Sequence, residues 1–233
     1  MRFFVGTSGY SYREWKGNFY PQKLLKQEML KFYAERFGAV EINGSFYRMP
    51  KASVLKDWAE EVPPGFQFAF KAPRAITHFR RLQDAQNLAE QFCDITAFLK
   101  ARQGPLLFGL PPNFQKDLPR LRAFLRQLGR RARVAFEFRH ASWFDDETFD
   151  CLRASRCALC VNDEDESPWT KLVRTTDWGY LRLRREAYTD RVLANWIKKL
   201  KAQKWKEAYV FFKHEDTGTG PKLAARFLKL AGQ

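Results

Sequence analysis

Histidine and cysteine are scarce in this chain, with three and four copies in 233 residues, and acidic residues fall well short of basic ones. Cysteines at 93, 151, 157 and 160 are too sparse for the disulfide framework of a small secreted domain. Cys157 and Cys160 have the spacing of a metal-binding pair. On the strand-like CALCV, however, they face opposite sides, so they read as buried small hydrophobes. No apolar run approaches the ~20 residues needed to cross a bilayer, and the opening MRFFVGTSGY reads as a strand rather than a signal peptide. No membrane association is expected, and the expected location is cytoplasmic. Forty-one Lys and Arg against 26 Asp and Glu leave a formal net charge of +15. That excess favours anionic small molecules or nucleic acid as partners, through long-range attraction and counterion release. The plainer alternative is a basic protein with no acidic partner.

What is present is a run of short strand-like segments alternating with amphipathic stretches. VAFEFRHASWF, from Val134 to Phe144, organises the reading. Its alternation sends Val134, Phe136 and Phe138 to one face and Ala135, Glu137 and Arg139 to the other. Further strands are expected at RFFVGTS, AVEIN, FQFAFKA, LLFGL, CALCVND, GYLRLR and AYVFFKH. Helices are expected with apolar positions at Leu24, Leu25, Met29, Phe32 and Phe37, then over about 51–61, 87–100, 118–129, 146–154, 190–203 and 221–230. The segment EDESPWTKLVRTTDW shows no helical period, so the sixth crossover is expected to be irregular.

Eight strands alternating with helices point to a single (β/α)8 TIM-like barrel over residues 1–233. A doubly wound open sheet is the alternative, but its inner strands would be apolar on both faces. Here Glu41 with Asn43, Gln67 with Lys71, and Arg182 with Arg184 share faces, and in a barrel these sides become a polar, charged lining.

Barrel sites lie where strands end at the carboxyl face. Ser8, Glu41, Asn43, Lys71, Glu137, Arg139, Asp163, Arg184 and Lys213 fall there. His78, His140 and His214 all follow strand ends by a few residues. Carboxylates beside imidazoles are the ingredients of acid/base or metal-assisted hydrolysis, so a divalent metal on some of these groups is one possibility. The alternative is that Glu41 and Glu137 are lining carboxylates paired with Lys71, Arg139 or Arg182. Aromatics after strands, Tyr10, Tyr12, Trp15, Phe46, Tyr47 and Trp143, could stack on a ligand ring or simply plug the barrel mouth. The lysines around Lys198 read as a solvated outer face.

GTSGYSYREWKGNFYP, VEINGSFYRMP, FAFKAPRAITHF, LLFGLPPNF and FEFRHASWF together resemble the successive signatures of the YecE-like proteins, the domain-of-unknown-function 72 family. The resemblance runs in order from about Phe3 to Phe144. It implies a TIM-like barrel of the type seen in sugar isomerases and the endonuclease IV group, and it supplies no activity. Family signature positions fall on Gly6, Ser8, Gly9, Trp15, Glu41, Asn43, Phe46, Tyr47, Lys71, His78, Pro111, Pro112, Glu137, Arg139, Ser142 and Trp143. The C-terminal part departs from the family: Arg184 and Arg185 stand where histidine and glycine are usual, and KHEDTGTGPK replaces an asparagine-rich stretch. His214 is therefore not carried over as a family residue.

The expectation is an enzyme acting at the barrel mouth on an anionic, phosphorylated or nucleotide-like substrate, in its most concrete form a hydrolase of phosphoesters. Glu41, Glu137, His78 and His140 are the candidate catalytic groups. Ser8, Tyr10, Trp15, Asn43, Tyr47, Lys71, Arg139, Trp143 and Asp163 are the candidate substrate contacts. A non-catalytic nucleic-acid or nucleotide binder and a sugar isomerase or epimerase are the alternatives.

Overall fold

Eight strands run parallel and curl into a barrel in a computed structural model that describes residues 1–164, 167–213 and 218–233. They are β1 (Arg2–Thr7), β2 (Ala39–Ile42), β3 (Gln67–Lys71), β4 (Gln103–Gly109), β5 (Val134–Glu137), β6 (Ala158–Asn162), β7 (Trp178–Leu183) and β8 (Glu207–Phe212). The pairing order β1-β8-β7-β6-β5-β4-β3-β2 is that of a (β/α)8 TIM-like barrel. Helices α1 (Met29–Ala34), α2 (Ala52–Glu61), α3 (Gln86–Thr96), α4 (Leu118–Leu128), α5 (Asp146–Ala154), α6 (Asp190–Lys201) and α7 (Thr219–Ala231) surround it. Between β6 and β7 the described residues form no helix, as the aperiodic sequence there implies. The first helix is shorter than expected. A 3-10 turn at Lys26–Glu28 precedes α1, and Leu25 is exposed rather than buried on a helical face.

The two strands at the ends of this order close the barrel with little direct pairing. β1 and β2 meet through one parallel bridge, Ser8 with Glu41, and through the Gly9 amide, which donates to the Glu41 carbonyl at 2.8 Å. Below that bridge a side chain from α1 takes over the link. The Tyr33 hydroxyl accepts from the Thr7 amide at 2.7 Å and donates to the Ala39 carbonyl at 3.1 Å. Gly6 lies at the same seam. A methyl group there would fall 1.9 Å from the Ala39 carbonyl oxygen, so only glycine lets the two strands come this close.

Outside the barrel, Val5, Val40, Phe68, Phe108, Phe136, Leu181 and Val210 pack beneath the helices. Inside, Phe4, Trp178, Tyr180, Tyr209 and Phe211 come from β1, β7 and β8, while β2, β3, β5 and β6 supply Ala39, Ala69, Ala135 and Ala158. Large side chains on one half fill the space that alanines leave on the other, so the barrel is packed rather than hollow. Phe4 and Tyr209 stack at 4.8 Å within this plug. The expected charged lining is thus confined to the upper, carboxyl-end layer. Glu41, Glu137 and Arg182 of this layer are buried, and each finds a partner of opposite charge.

Candidate functional site

The upper layer is an ion cluster built by strand alternation. Glu41 on β2, Glu137 on β5 and Arg182 on β7 all point inward and are buried. Arg182 donates through Nη1 to both oxygens of Glu137 at 2.9 Å and through Nη2 to Glu41 at 3.0 Å. Ser8 at 2.7 Å and Tyr180 at 2.8 Å complete Glu41, with Arg184 at 3.3 Å. Asn162 at 3.0 Å and Arg139 at 3.3 Å complete Glu137. Gly109 on β4 leaves the room this needs, since a methyl group there would sit 3.0 Å from the Glu137 Oε2.

Two carboxylates share one guanidinium, and the charges hold Glu137 and Arg182 in their ionised forms. Burial alone would raise the Glu137 pKa, but the charges of Arg182 and Arg139 overcome it and hold the group at about 2. Burial works against the Arg182 charge as well, and Glu137 and Glu41 keep that guanidinium protonated far above its ordinary range. The sequence leaves pairing and catalysis both open for these glutamates, and the geometry is that of pairing. Ionised and bonded to Arg182, Arg139 and Asn162, Glu137 has its oxygens engaged within the layer. Arg182, the hub of the cluster, is absent from the site residues expected from sequence, although its place beside Arg184 on YLRLR was the available signal.

Above this layer a cleft of about 440 Å³ opens to solvent. Lys71, Arg139, Arg182, Arg184 and Lys213 line it together with Asn43, Asn162, Tyr12, Phe46, Tyr47 and Glu164. Lys71, Arg139, Arg182 and Arg184 against Glu164 and the two buried glutamates leave a formal surplus of one positive charge, with Lys213 left out of the count. The Asn43 Oδ1 is buried and has no hydrogen-bond partner. Ser45 donates to the Lys71 carbonyl at 2.7 Å, tying the end of β3 to the turn Gly44–Phe46 and setting the Phe46 ring 4.0 Å from the Lys71 amine. Burial, reinforced by the charges of Arg182 and Arg139 and opposed by Glu137 and Glu41, lowers the Lys71 pKa to about 8.

Of the residues expected at the mouth, Asn43, Tyr47, Lys71 and Arg139 line the cleft, and Ser8, Glu41 and Glu137 lie in the layer beneath it. His78 stands beside it, its ring 4.9 Å from that of Phe46 and its pKa lowered by burial and by Lys71. Others fall elsewhere, each for a packing reason. Trp15 and Trp143 are fully buried in the core. Trp143 stacks on Phe138 and donates to the Phe114 carbonyl at 2.7 Å. Tyr10 packs against Tyr33 and Trp58. His140 caps the turn Ala141–Trp143 through Ser142. Asp163 is buried and accepts from Tyr188 at 2.7 Å and from the Arg184 amide at 2.7 Å, bracing the loop after β7. His214 lies outside the described residues.

Among the described residues no three His, Cys, Asp or Glu side chains come together as ligands. Both upper-layer carboxylates are already spent on arginines, and His78 and His140 bond to Thr77 and Ser142. All four cysteines are free and buried, with Cys157 on the outer and Cys160 on the inner side of β6.

A barrel of eight parallel strands with a cationic cleft at its carboxyl end defines the class. Within it, the chain belongs to the family described as "Protein of unknown function DUF72", which matches residues 4–233 and so reaches past Phe144 through the divergent C-terminal part. It is similar to the UPF0759 protein YunF of Bacillus subtilis (strain 168), 26% identical over 227 residues covering 91% of this chain and 78% of that one. It is also similar to the UPF0759 protein YecE of Escherichia coli (strain K12), 34% identical over 116 residues covering 49% of this chain and 43% of that one. Among solved structures, a DUF72 family protein of Thermotoga maritima MSB8 is 28% identical with a TM-score of 0.83, and each chain covers 100% of the other. No helix among the described residues is long and apolar enough to cross a membrane.

Proposed function

We propose that the cleft binds a small anionic compound bearing a phosphate or carboxylate group, and that the protein is an enzyme acting on it. The observation that carries this reading is the surplus of cations on the cleft wall after the buried glutamates have been paired. Arg139 and Arg184 each reach a glutamate at only 3.3 Å and present their remaining donors to the cleft, a planar fork suited to an oxyanion. At about 440 Å³ the space falls in the range of about 300–1,000 Å³ common for small-molecule sites and accommodates no duplex. Small ligands are therefore favoured over nucleic acid. Phosphoester hydrolysis with Glu137 as base or metal ligand is disfavoured, because that carboxylate is saturated by Arg182 and Asn162.

Calorimetric titration with inorganic phosphate and with sugar phosphates tests the reading. Binding is expected in the native protein, and Arg139→Ala should weaken it about 10- to 100-fold, the loss of one charge-assisted donor pair, with the fold retained. Unchanged affinity in Arg139→Ala, or binding of single-stranded DNA in preference to every small anion, would remove the cleft from the role.

A further inference from the structure

The lysine at the floor of the cleft offers more than charge. We propose, resting on the anion-binding reading above, that Lys71 is a catalytic amine that forms an imine with a small aldehyde or ketone held by its anionic group. Lys71 ends β3 with its side chain directed into the barrel mouth, where it lines the cleft. Its amine has no carboxylate partner among the described residues, although Glu41 and Glu137 occupy the layer beneath it, because Arg182, Arg139 and Arg184 take their oxygens. What the amine meets instead is the face of Phe46, at 4.0 Å.

A lysine withdrawn from water and beside fixed guanidiniums, with no carboxylate partner among the described residues, is in the setting that yields a nucleophilic amine, and the Phe46 face opposes this only in part, by its attraction for the ammonium form. Arg182 and Arg139 lower its proton affinity, Glu137 and Glu41 raise it, and burial is the largest influence. The same geometry is of little use to a purely electrostatic anion clamp, which gains nothing from desolvating an ammonium group when three arginines already serve the cleft.

The chemistry closes without any other reagent. The neutral amine nitrogen attacks the carbonyl carbon, the C–N bond forming as the C=O π bond opens; the proton lost from nitrogen is returned to the oxygen, and a second proton on that hydroxyl prepares it to leave. The resulting carbinolamine loses that oxygen as water, leaving a protonated imine, and hydrolysis restores lysine and carbonyl. His78 lies edge-on to the same Phe46 ring, 4.9 Å between centroids, and its imidazole is the group beside the amine able to exchange these protons. The unpartnered Asn43 Oδ1 offers an acceptor to a hydroxyl on the substrate or on the carbinolamine. Arg139 and Arg184 would hold the phosphate or carboxylate, which sets the substrate class as phosphorylated or carboxylated aldehydes and ketones.

Reductive trapping decides the matter. The native protein is treated near pH 7.5 with pyridoxal 5′-phosphate, an aldehyde that carries a phosphate, and reduced with borohydride, and the labelled lysines are mapped by peptide mass spectrometry. Pyridoxal without the phosphate runs in parallel, and phosphate binding is measured calorimetrically on the same preparation. Lys71 is expected to be labelled about tenfold or more faster than any surface lysine, since a larger share of its amine is neutral than for an ordinary lysine of pKa about 10.4. Inorganic phosphate should protect it, and pyridoxal should label it more slowly. Lys71→Arg keeps the charge but carries no amine that can form an imine, and it should lose the fast label. If phosphate binds and Lys71 reacts no faster than surface lysines, the imine proposal is overturned and the anion site stands. If phosphate fails to bind and both aldehydes label Lys71 alike, the anionic substrate class falls together with the site on which it rests.

Discussion

Glu137 shows how one buried side chain ties stability to pH. Its carboxylate is held at about 2 rather than near 4.5 because, despite complete burial, the charges of Arg182 and Arg139 favour the ionised form. A group whose folded-state pKa is depressed stabilises the fold above its unfolded value and loses that contribution as pH falls toward the folded value. Urea denaturation at fixed pH values should therefore show stability falling as pH drops from about 4.5 toward 2, and Glu137→Gln should flatten that dependence. At neutral pH the same variant leaves Arg182 with half its countercharge and is expected to cost about 3–5 kcal/mol. A variant as stable as the native protein would show that the pair contributes nothing net. Lys71, one layer higher, has the opposite character. The guanidiniums that satisfy the glutamates are what keep its amine without a counterion.

Among the elements, the seam between β1 and β2 is the weak join, and α1 repairs it. The Tyr33 hydroxyl occupies the place of a strand-to-strand hydrogen bond, taking the Thr7 amide and giving to the Ala39 carbonyl. Tyr33→Phe leaves both backbone groups buried with that bond unmade, at an expected cost of about 1–3 kcal/mol. Hydrogen exchange should report it as faster exchange at Thr7 and its β1 neighbours, with β5 and β6 unaffected. Uniform acceleration across the barrel would mean the hydroxyl is not a local closure. Elements at the opposite side need no such device, since β4 and β5 pair directly from Leu106 with Val134 through Gly109 with Glu137. The outer helix α6 buries Leu193, Trp196, Ile197 and Leu200 and leaves Lys198, Lys199 and Lys201 in solvent, the solvated face that its lysine spacing implies.

At the scale of the whole molecule, a sheet whose first strand pairs with its last strand in sequence makes β1 and β8 mutually dependent, so the chain is expected to unfold as one unit. Far-ultraviolet circular dichroism and tryptophan fluorescence should give coincident denaturation curves, and separated midpoints would divide the 1–233 span into independently folding parts. The eight strands, their closure into a barrel and the irregular sixth crossover were legible from residue order alone, because alternation of period two and period 3.6 is a local property of the chain. So was the inward direction of Glu41, Lys71, Glu137, Arg182 and Arg184, which follows from the strand pleat once one inward residue per strand is known. Which of these groups would neutralise each other was not legible. Arg182 joins Glu41 and Glu137 across separations of 141 and 45 residues, and only closure of the barrel sets those distances. Nor could sequence tell an aromatic that seals the core, such as Trp143, from one that lines the cleft, such as Phe46, since both follow strand ends and differ only in what packs over them. Local periodicity thus determined the fold and the end of the barrel that carries charge, while the pairing of those charges, which leaves the Lys71 amine without a carboxylate among the described residues, was decided by contacts between strands far apart in the chain.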